Sequence, residues 1–267
     1  MKKNKFLPAL IFSLVIISCA TVPLTGRKQI NLVGDSEINT AAAQSYRQLL
    51  TDPSTKVISG TRDAESIKRV GGRLATAIEG YLKANGYGDQ YTFHWEFNLI
   101  QSKEVNAWCM PGGKVAVYSA ILPITMDDNG LATVLGHEIG HAVARHSAER
   151  VSQQKAAMIG AGLLNDAMAD KSSATQTVVN QLYGVGGQLV LLKYSRNQES
   201  EADHLGLIFM AMAGYDPNSA VLFWQRMIAQ NKGGSPPEFL STHPADEARI
   251  QDIKKWLPEA MKYYHHQ

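Results

Sequence analysis

The stretch VLGHEIGHAVARH, residues 134–146, places two histidines four positions apart with a glutamate directly after the first. Leu131, Val134 and Leu135 lead into it at helical spacing, and at 3.6 residues per turn positions four apart lie about 40° from alignment. On a helix, His137 and His141 therefore project from one face, where their imidazoles can share a cation, and Glu138 leans into the same cleft. The flanks are apolar, and Gly136 and Gly140 permit close packing, so this helix is expected to be buried. Two imidazoles and a carboxylate buried without a partner would be costly. The chain is thus restricted to folds that hold a metal here. Nitrogen and carboxylate ligands with one position left for water suit Zn²⁺. In this reading His137 and His141 are ligands. The zinc lowers the pKa of a bound water, and Glu138 is the general base that takes its proton and passes it to the leaving amine.

Such a site needs a third protein ligand. The extended pattern H-E-x-x-H-x-x-G-x-x-H would require a Gly at 144 and a His at 147, but the residues there are Ala144 and Ser147. His146 follows His141 by five, about 140° around a continuous helix, so it is assigned a structural or outer role. The densest later group is SRNQESEADHLGL, residues 195–207. Glu199 and Asp203 share a face, whereas Glu201 points roughly the opposite way. Glu199 can bind the ion while Asp203 accepts the second N–H of a ligand histidine, an outer bond that fixes the tautomer. A solvated helix start, where acidic residues are favoured, is the alternative for this cluster.

The rest of the chain supplies the setting. The N-terminus, MKKNKFLPALIFSLVIISCA, has a charged start and an apolar run over residues 6–17, too short for a bilayer span and laid out like a secretory signal. Its end, Ile16, Ile17, Ser18, Cys19, resembles a bacterial lipobox, with Cys19 as the lipidated residue. Cys109 is then the only other thiol, so no intrachain disulfide is expected. Of 26 basic residues against 24 acidic ones, Lys2, Lys3 and Lys5 sit in the removable leader. Nothing in that balance suggests a nucleic-acid partner. Residues 21–35 read as a turn-rich linker; residues 38–50, after Ser36 as cap, and 63–84 read as helices. Residues 91–100 alternate as a strand, and 106–122 give two strands joined by the Pro111-Gly112-Gly113 turn. Helical character dominates from Asn129 onward. The uncharged segment 172–192 holds Asn180, Gln181 and Gln188, costly in lipid, and is read as helices packed within the protein, with a lid or membrane-surface role as the alternative. Strands grouped together and helices elsewhere make an α+β chain, mainly helical, with a small β-sheet beside the active-site helix. At 267 residues it forms one main domain: a leader over 1–18, a lipid-anchored linker over 19–35 and, over 36–267, the domain that carries the metal-binding pattern.

Taken together, TGRKQINLV, NAWCMPGGKVAVYSAIL, VLGHEIGHAVARH, SRNQESEADHLGL and STHPADEARI resemble family 48 of the metallopeptidases, the zincin-like group of the HtpX, CAAX prenyl and BepA-type proteases. The family's E-x-x-A-D pattern falls on Glu199 to Asp203, and the resemblance implies Glu199 as the third ligand. Its T-H-P and R-I segment falls on His243 and Arg249, which the resemblance places near the active site. His243 then either stabilises the transition state or caps the open zinc position in a resting form. The chain departs from integral-membrane members in having no spanning helix after its leader, and from BepA-type members in leaving no room after Ile250 for a helical-repeat array. Cys109 is expected to be a buried strand residue, not a nucleophile. The implied protein is a zinc-dependent endopeptidase, anchored by lipid at the bacterial outer membrane and facing the periplasm. It would bind protein or peptide substrates, misfolded envelope proteins above all, extended along the strand at Asn106 and Ala107. Two other readings share the same residues: a zinc hydrolase of a non-peptide amide, and a chaperone or adaptor with a dormant metal site.

Overall fold

The computed structural model of the chain describes residues 19–160, 194–230 and 237–265. The leader over 1–18 and the uncharged segment 172–192 lie outside the described residues. Two short strands, β1 (Cys19–Thr21) and β2 (Lys28–Ile30), pair antiparallel where a linker is expected. They are followed by helix α1 (Asp35–Thr51), strand β3 (Val57–Ile58) and helix α2 (Arg62–Ala84). Thr61 caps α2 by accepting from the Ala64 amide, and Asp63 and Glu65 in its first turn complement the helix dipole.

Strands β4 (Glu96–Ile100), β5 (Ala107–Met110) and β6 (Lys114–Tyr118) join β3 in a sheet of order β3-β4-β6-β5. β4 runs parallel to β6, and β5 and β6 form an antiparallel hairpin. Gly112 and Gly113 close that hairpin at φ 78° and 85°, a region that side chains with a Cβ rarely adopt. The strand expected over 91–100 begins only at Glu96. β6 starts at Lys114, so residues 91–95 run past its end and meet the glycine turn, where only Gly112 and Gly113 carbonyls accept from His94 and Glu96. Tyr91, Phe93, Trp95 and Phe97 nevertheless keep their alternation and stack in a continuous ladder.

The period-2 alternation of the strands divides the interior into two cores. Leu99, Ala107, Cys109, Val115 and Val117 face one side, with Ile67, Val70 and Leu74 of α2. Ile100, Trp108, Met110, Ala116 and Tyr118 face the other, with Ile38, Ala42 and Tyr46 of α1. Beyond the sheet come α3 (Leu122–Thr125), α4 (Asp128–Val143), α5 (His146–Gly160), α6 (Arg196–Met212), α7 (Ser219–Gln230), α8 (Glu238–Thr242) and α9 (Glu247–Ala260). α4 lies under β5 and makes its most extensive contact with α6. The molecule is mainly helical with small sheets, as the pattern predicts. No described helix is long and apolar enough to cross a membrane.

Candidate metal centre

Two helix starts set the register of the site. Asp127 caps α4 by accepting from the Gly130 amide. Ser195 and Gln198 form a capping box at the start of α6, satisfying two end groups reciprocally and fixing where Glu199 falls in the first turn. The helices then touch backbone to backbone. A Cβ on Gly136 would lie 2.9 Å from the Gly206 carbonyl oxygen, and one on Gly140 would lie 2.8 Å from that of Ala202. Glycines at this crossing bring side chains from both helices within reach of one point.

His137 Nε2 and His141 Nε2 lie 3.1 Å apart. Glu199 Oε2 is 3.5 Å from the first, and its Oε1 is 3.4 Å from the second. His243, at the end of α8, brings Nδ1 to 3.2 Å from His137 Nε2 and 2.9 Å from Glu199 Oε1. Ligands about 2.0–2.1 Å from a tetrahedral zinc are separated by roughly 3.3 Å, close to these spacings. All four residues are buried, each at most 5% exposed. Arg249 lies 3.2 Å from Glu199 and 2.7 Å from Asp203, so two buried carboxylates face one guanidinium, and a cation among the donor atoms would offset the negative charge left over. The donor set, its spacing and its charge thus fit a metal ion.

Glu138 sits beside this group with Oε1 3.5 Å from His243 Nε2. That oxygen is buried with no hydrogen-bond partner among the described residues. Burial pushes the Glu138 carboxyl up to about 7. Burial also opposes ionisation of Glu199, but the facing His243 and hydrogen bonds from His137, His141 and His243 hold it well below the usual carboxylate range. The two carboxylates are thereby driven apart, Glu199 held charged by its imidazole partners and Glu138 pushed up by burial.

The surrounding bonds orient the ring nitrogens. His137 Nδ1 is 2.8 Å from Asp203 Oδ1. Arg249 in turn donates to both Asp203 oxygens, from Nε at 2.7 Å and Nη2 at 2.8 Å, and from Nη1 to the Pro244 carbonyl at 2.9 Å. It lies 3.5 Å over the Trp224 ring. Arg249 thereby ties the Asp203 bond to the loop that carries His243. α8 is itself tied to the segment that leads into β5, since the Phe239 amide donates to the Val105 carbonyl at 3.0 Å.

Asn106 and Ala107, at the start of β5, are both buried. The Asn106 carbonyl accepts from Tyr118, so by the antiparallel alternation the Ala107 backbone faces away from β6. Its amide is occupied by the Asn106 side chain, Oδ1 at 2.9 Å. An extended substrate pairing here must displace that contact. Cys109 is buried in β5, and burial pushes its thiol well up, which leaves it inert.

The family model "Peptidase family M48" matches residues 63–257. The chain belongs to peptidase family M48. M48 relatives include "Mitochondrial metalloendopeptidase OMA1" of Schizosaccharomyces pombe, 33% identical over 90% of this chain and 66% of that protein. The protein of the same name from Saccharomyces cerevisiae is 38% identical over 64% of the chain and 49% of the relative. "Beta-barrel assembly-enhancing protease" of Escherichia coli is 32% identical over 61% of the chain and 34% of the relative. The M48 chain described here therefore spans less than two thirds of the length of these relatives.

His146 lies behind His141, in keeping with the structural or outer role expected of it, but not by the geometry assumed, and Glu201 stands behind it in turn. α4 ends at Val143, Arg145 adopts φ 55°, and His146 opens a new helix. The 140° projection assumed one continuous helix and does not apply. His146 Nδ1 instead lies 2.8 Å from His141 Nδ1, and its Nε2 lies 2.9 Å from Glu201 Oε2. The left-handed Arg145 had no sequence signal; a glycine there would have given one.

Proposed function

We propose that this M48 protein is a zinc-dependent endopeptidase of the bacterial envelope, with His137, His141 and Glu199 as metal ligands and Glu138 as general base. What carries the reading is the convergence of three donor groups at tetrahedral spacing beside a buried carboxylate, Glu138, one of whose oxygens has no hydrogen-bond partner among the described residues, in a chain of a peptidase family. A zinc ion held there would supply Lewis acidity to the scissile carbonyl and acidify water. Glu138 takes the proton of the attacking water and delivers it to the leaving amine. Asp203 fixes the His137 tautomer, and Arg249 holds Asp203 and the His243 loop.

His243 favours a second statement about the same site. Its Nδ1 lies among the candidate ligand atoms, so His243 would hold a fourth donor to a bound ion in a resting form, with stabilisation of the transition state as its other reading. In the resting form, substrate entry requires α8 to release both that donor and the Val105 carbonyl, after which Asn106 and Ala107 offer an edge for main-chain pairing.

Residues 1–18 serve as leader, Cys19 as the lipid anchor, and 36–267 as the metallopeptidase domain. The lipobox-like end of the leader favours an outer-membrane position facing the periplasm, although several relatives are named as mitochondrial. Misassembled envelope proteins are the substrate class, in keeping with the relative named for β-barrel assembly. The test is Glu138→Gln in place of the wild type. It should keep zinc and lose cleavage by roughly 10²- to 10⁴-fold, and envelope proteins should accumulate or cross-link to it. Full turnover in metal-replete variant sinks the mechanism. Partner binding with no cleavage by either form points to an adaptor with a dormant site, and turnover of non-peptide amides alone points to a different hydrolase.

A further inference from the structure

The two metal-facing histidines of α4 are supported differently. His137 has a carboxylate directly behind it, Asp203. His141 has a second imidazole, His146, and only behind that a carboxylate, Glu201. Glu201 is not held by its own helix or by α4. Thr25 donates to its Oε1 at 2.5 Å, and Arg27 donates from Nε to its Oε2 at 2.6 Å. Both residues lie in the turn between β1 and β2, more than 170 positions away in sequence. The remaining Arg27 nitrogens, Nη1 and Nη2, grip Glu149 at 2.9 and 3.1 Å, and Gln198 of α6 donates to Glu149 at 2.9 Å. That turn therefore clamps α5 and α6 at the position where they meet behind His141.

The chain of atoms has one consistent polarity. If His141 presents Nε2 to the metal, its Nδ1 carries the proton and donates to His146 Nδ1. His146 must then carry its own proton on Nε2 and donate it to the Glu201 carboxylate. Glu201 stays an acceptor because Thr25 and Arg27 both donate to it. Remove them and Glu201 keeps one partner, His146, and is free to rotate.

We propose that Thr25 and Arg27 are positioning residues of the metal centre, acting through Glu201 and His146 to fix the orientation and tautomer of His141. The segment read from sequence as a linker is then an outer wall of the site. Because it follows Cys19 directly, the proposed anchor and the metal centre are mechanically joined by a few residues.

The inference rests on His141 being a metal ligand, and the experiment separates the two. Zinc affinity of the full chain is measured by competition with a graded chelator, alongside the visible spectrum of the cobalt-substituted protein and the melting temperature of the stripped protein. Outer partners of metal ligands typically contribute on the order of 10- to 100-fold in affinity. Glu201→Gln should fall in that range, and Thr25→Val and Arg27→Ala should each lose several-fold, with an altered cobalt spectrum. Thr25→Ser, which keeps the hydroxyl, should restore both. Thr25→Val added to Glu201→Gln should cost nothing further, because Thr25 acts on the site through Glu201. Should Arg27→Ala fail to fold, Thr25→Val, which removes a single donor at constant shape, carries the test. Wild-type affinity and spectrum in Thr25→Val and Arg27→Ala, or multiplicative losses when Thr25→Val is added to Glu201→Gln, overturn the proposal. So does a lower melting temperature of the stripped protein with affinity unchanged, the mark of a structural role alone. A wild-type protein that takes up no zinc defeats the ligand reading itself.

Discussion

Glu199, Glu201 and Asp203 occupy five consecutive positions of one helix and face three different chemistries. Glu199 meets three imidazoles, Asp203 meets His137 and Arg249, and Glu201 meets His146, Thr25 and Arg27. Their variants should rank accordingly in dialysis against a chelator. Glu199→Gln should lose zinc most strongly, since a neutral amide replaces an anionic oxygen on a dication. Asp203→Asn and Glu201→Gln should each follow with losses of about 10- to 100-fold. A helical wheel would have left Glu201→Gln silent. A ranking with Glu201→Gln below Glu199→Gln would mean the ligand is misassigned. His243 gives a second residue-level outcome. His243→Ala should retain one zinc per chain, because His137, His141 and Glu199 remain, and should raise cleavage of a short peptide by opening the fourth corner. Lower activity would instead assign His243 to transition-state stabilisation, and no change would reduce it to packing.

The helix pair α4 and α6 is the element that makes these residues a site. The sequence marks α4 by its H-E-x-x-H spacing and α6 by its acidic cluster, but their distance depends on Gly136, Gly140 and Gly206, whose added Cβ atoms would each meet the other backbone below 3.0 Å. Gly140→Ala must therefore push the helices apart. It should cost about 1–3 kcal/mol by overpacking and weaken zinc binding as well, because the ligand atoms of the two helices separate. Gly72 is the control. It lies in the interior of α2 with open space at its Cβ position, so Gly72→Ala should stabilise by about 1 kcal/mol through helix propensity alone and leave zinc affinity as it is. Denaturant unfolding of the stripped variants gives the first quantity and chelator competition the second. Equal behaviour of the two alanines would show that the crossing is looser than these contacts indicate.

At the scale of the whole molecule, a four-stranded sheet carries α1 on one face and α2 with α4 on the other, and the separate β1–β2 hairpin is tied to α5 and α6. The Cys19 backbone pairs with Ile30 within that hairpin. If Cys19 is the lipidated residue, the catalytic domain must stand close to the bilayer with little slack. Cys19→Ala should release the protein from membrane fractions or leave its leader uncleaved. A variant that is processed normally and still pellets with membranes would remove the lipobox reading, while the zinc site would stand untouched.

The local signals in this chain were those with short periods. His137, Glu138 and His141 share one helix turn and carry their chemistry in their spacing; the strand alternation and the shared face of Glu199 and Asp203 are equally local, and the family pattern agreed on Glu199 and added His243 and Arg249. What the tertiary structure alone decided depends on chain segments far apart. The break at Arg145 turned His146 back beneath His141, which no periodicity rule could anticipate because the residue is not a glycine. The bonds from Thr25 and Arg27 to Glu201 span more than 170 positions, and a turn of small and polar residues reads as a linker until the carboxylate it binds is in view. Hydrophobic spacing determines which face of an element is buried. Which polar groups then meet is set by how the elements close on one another, and here that closure is governed by three glycines at one helix crossing.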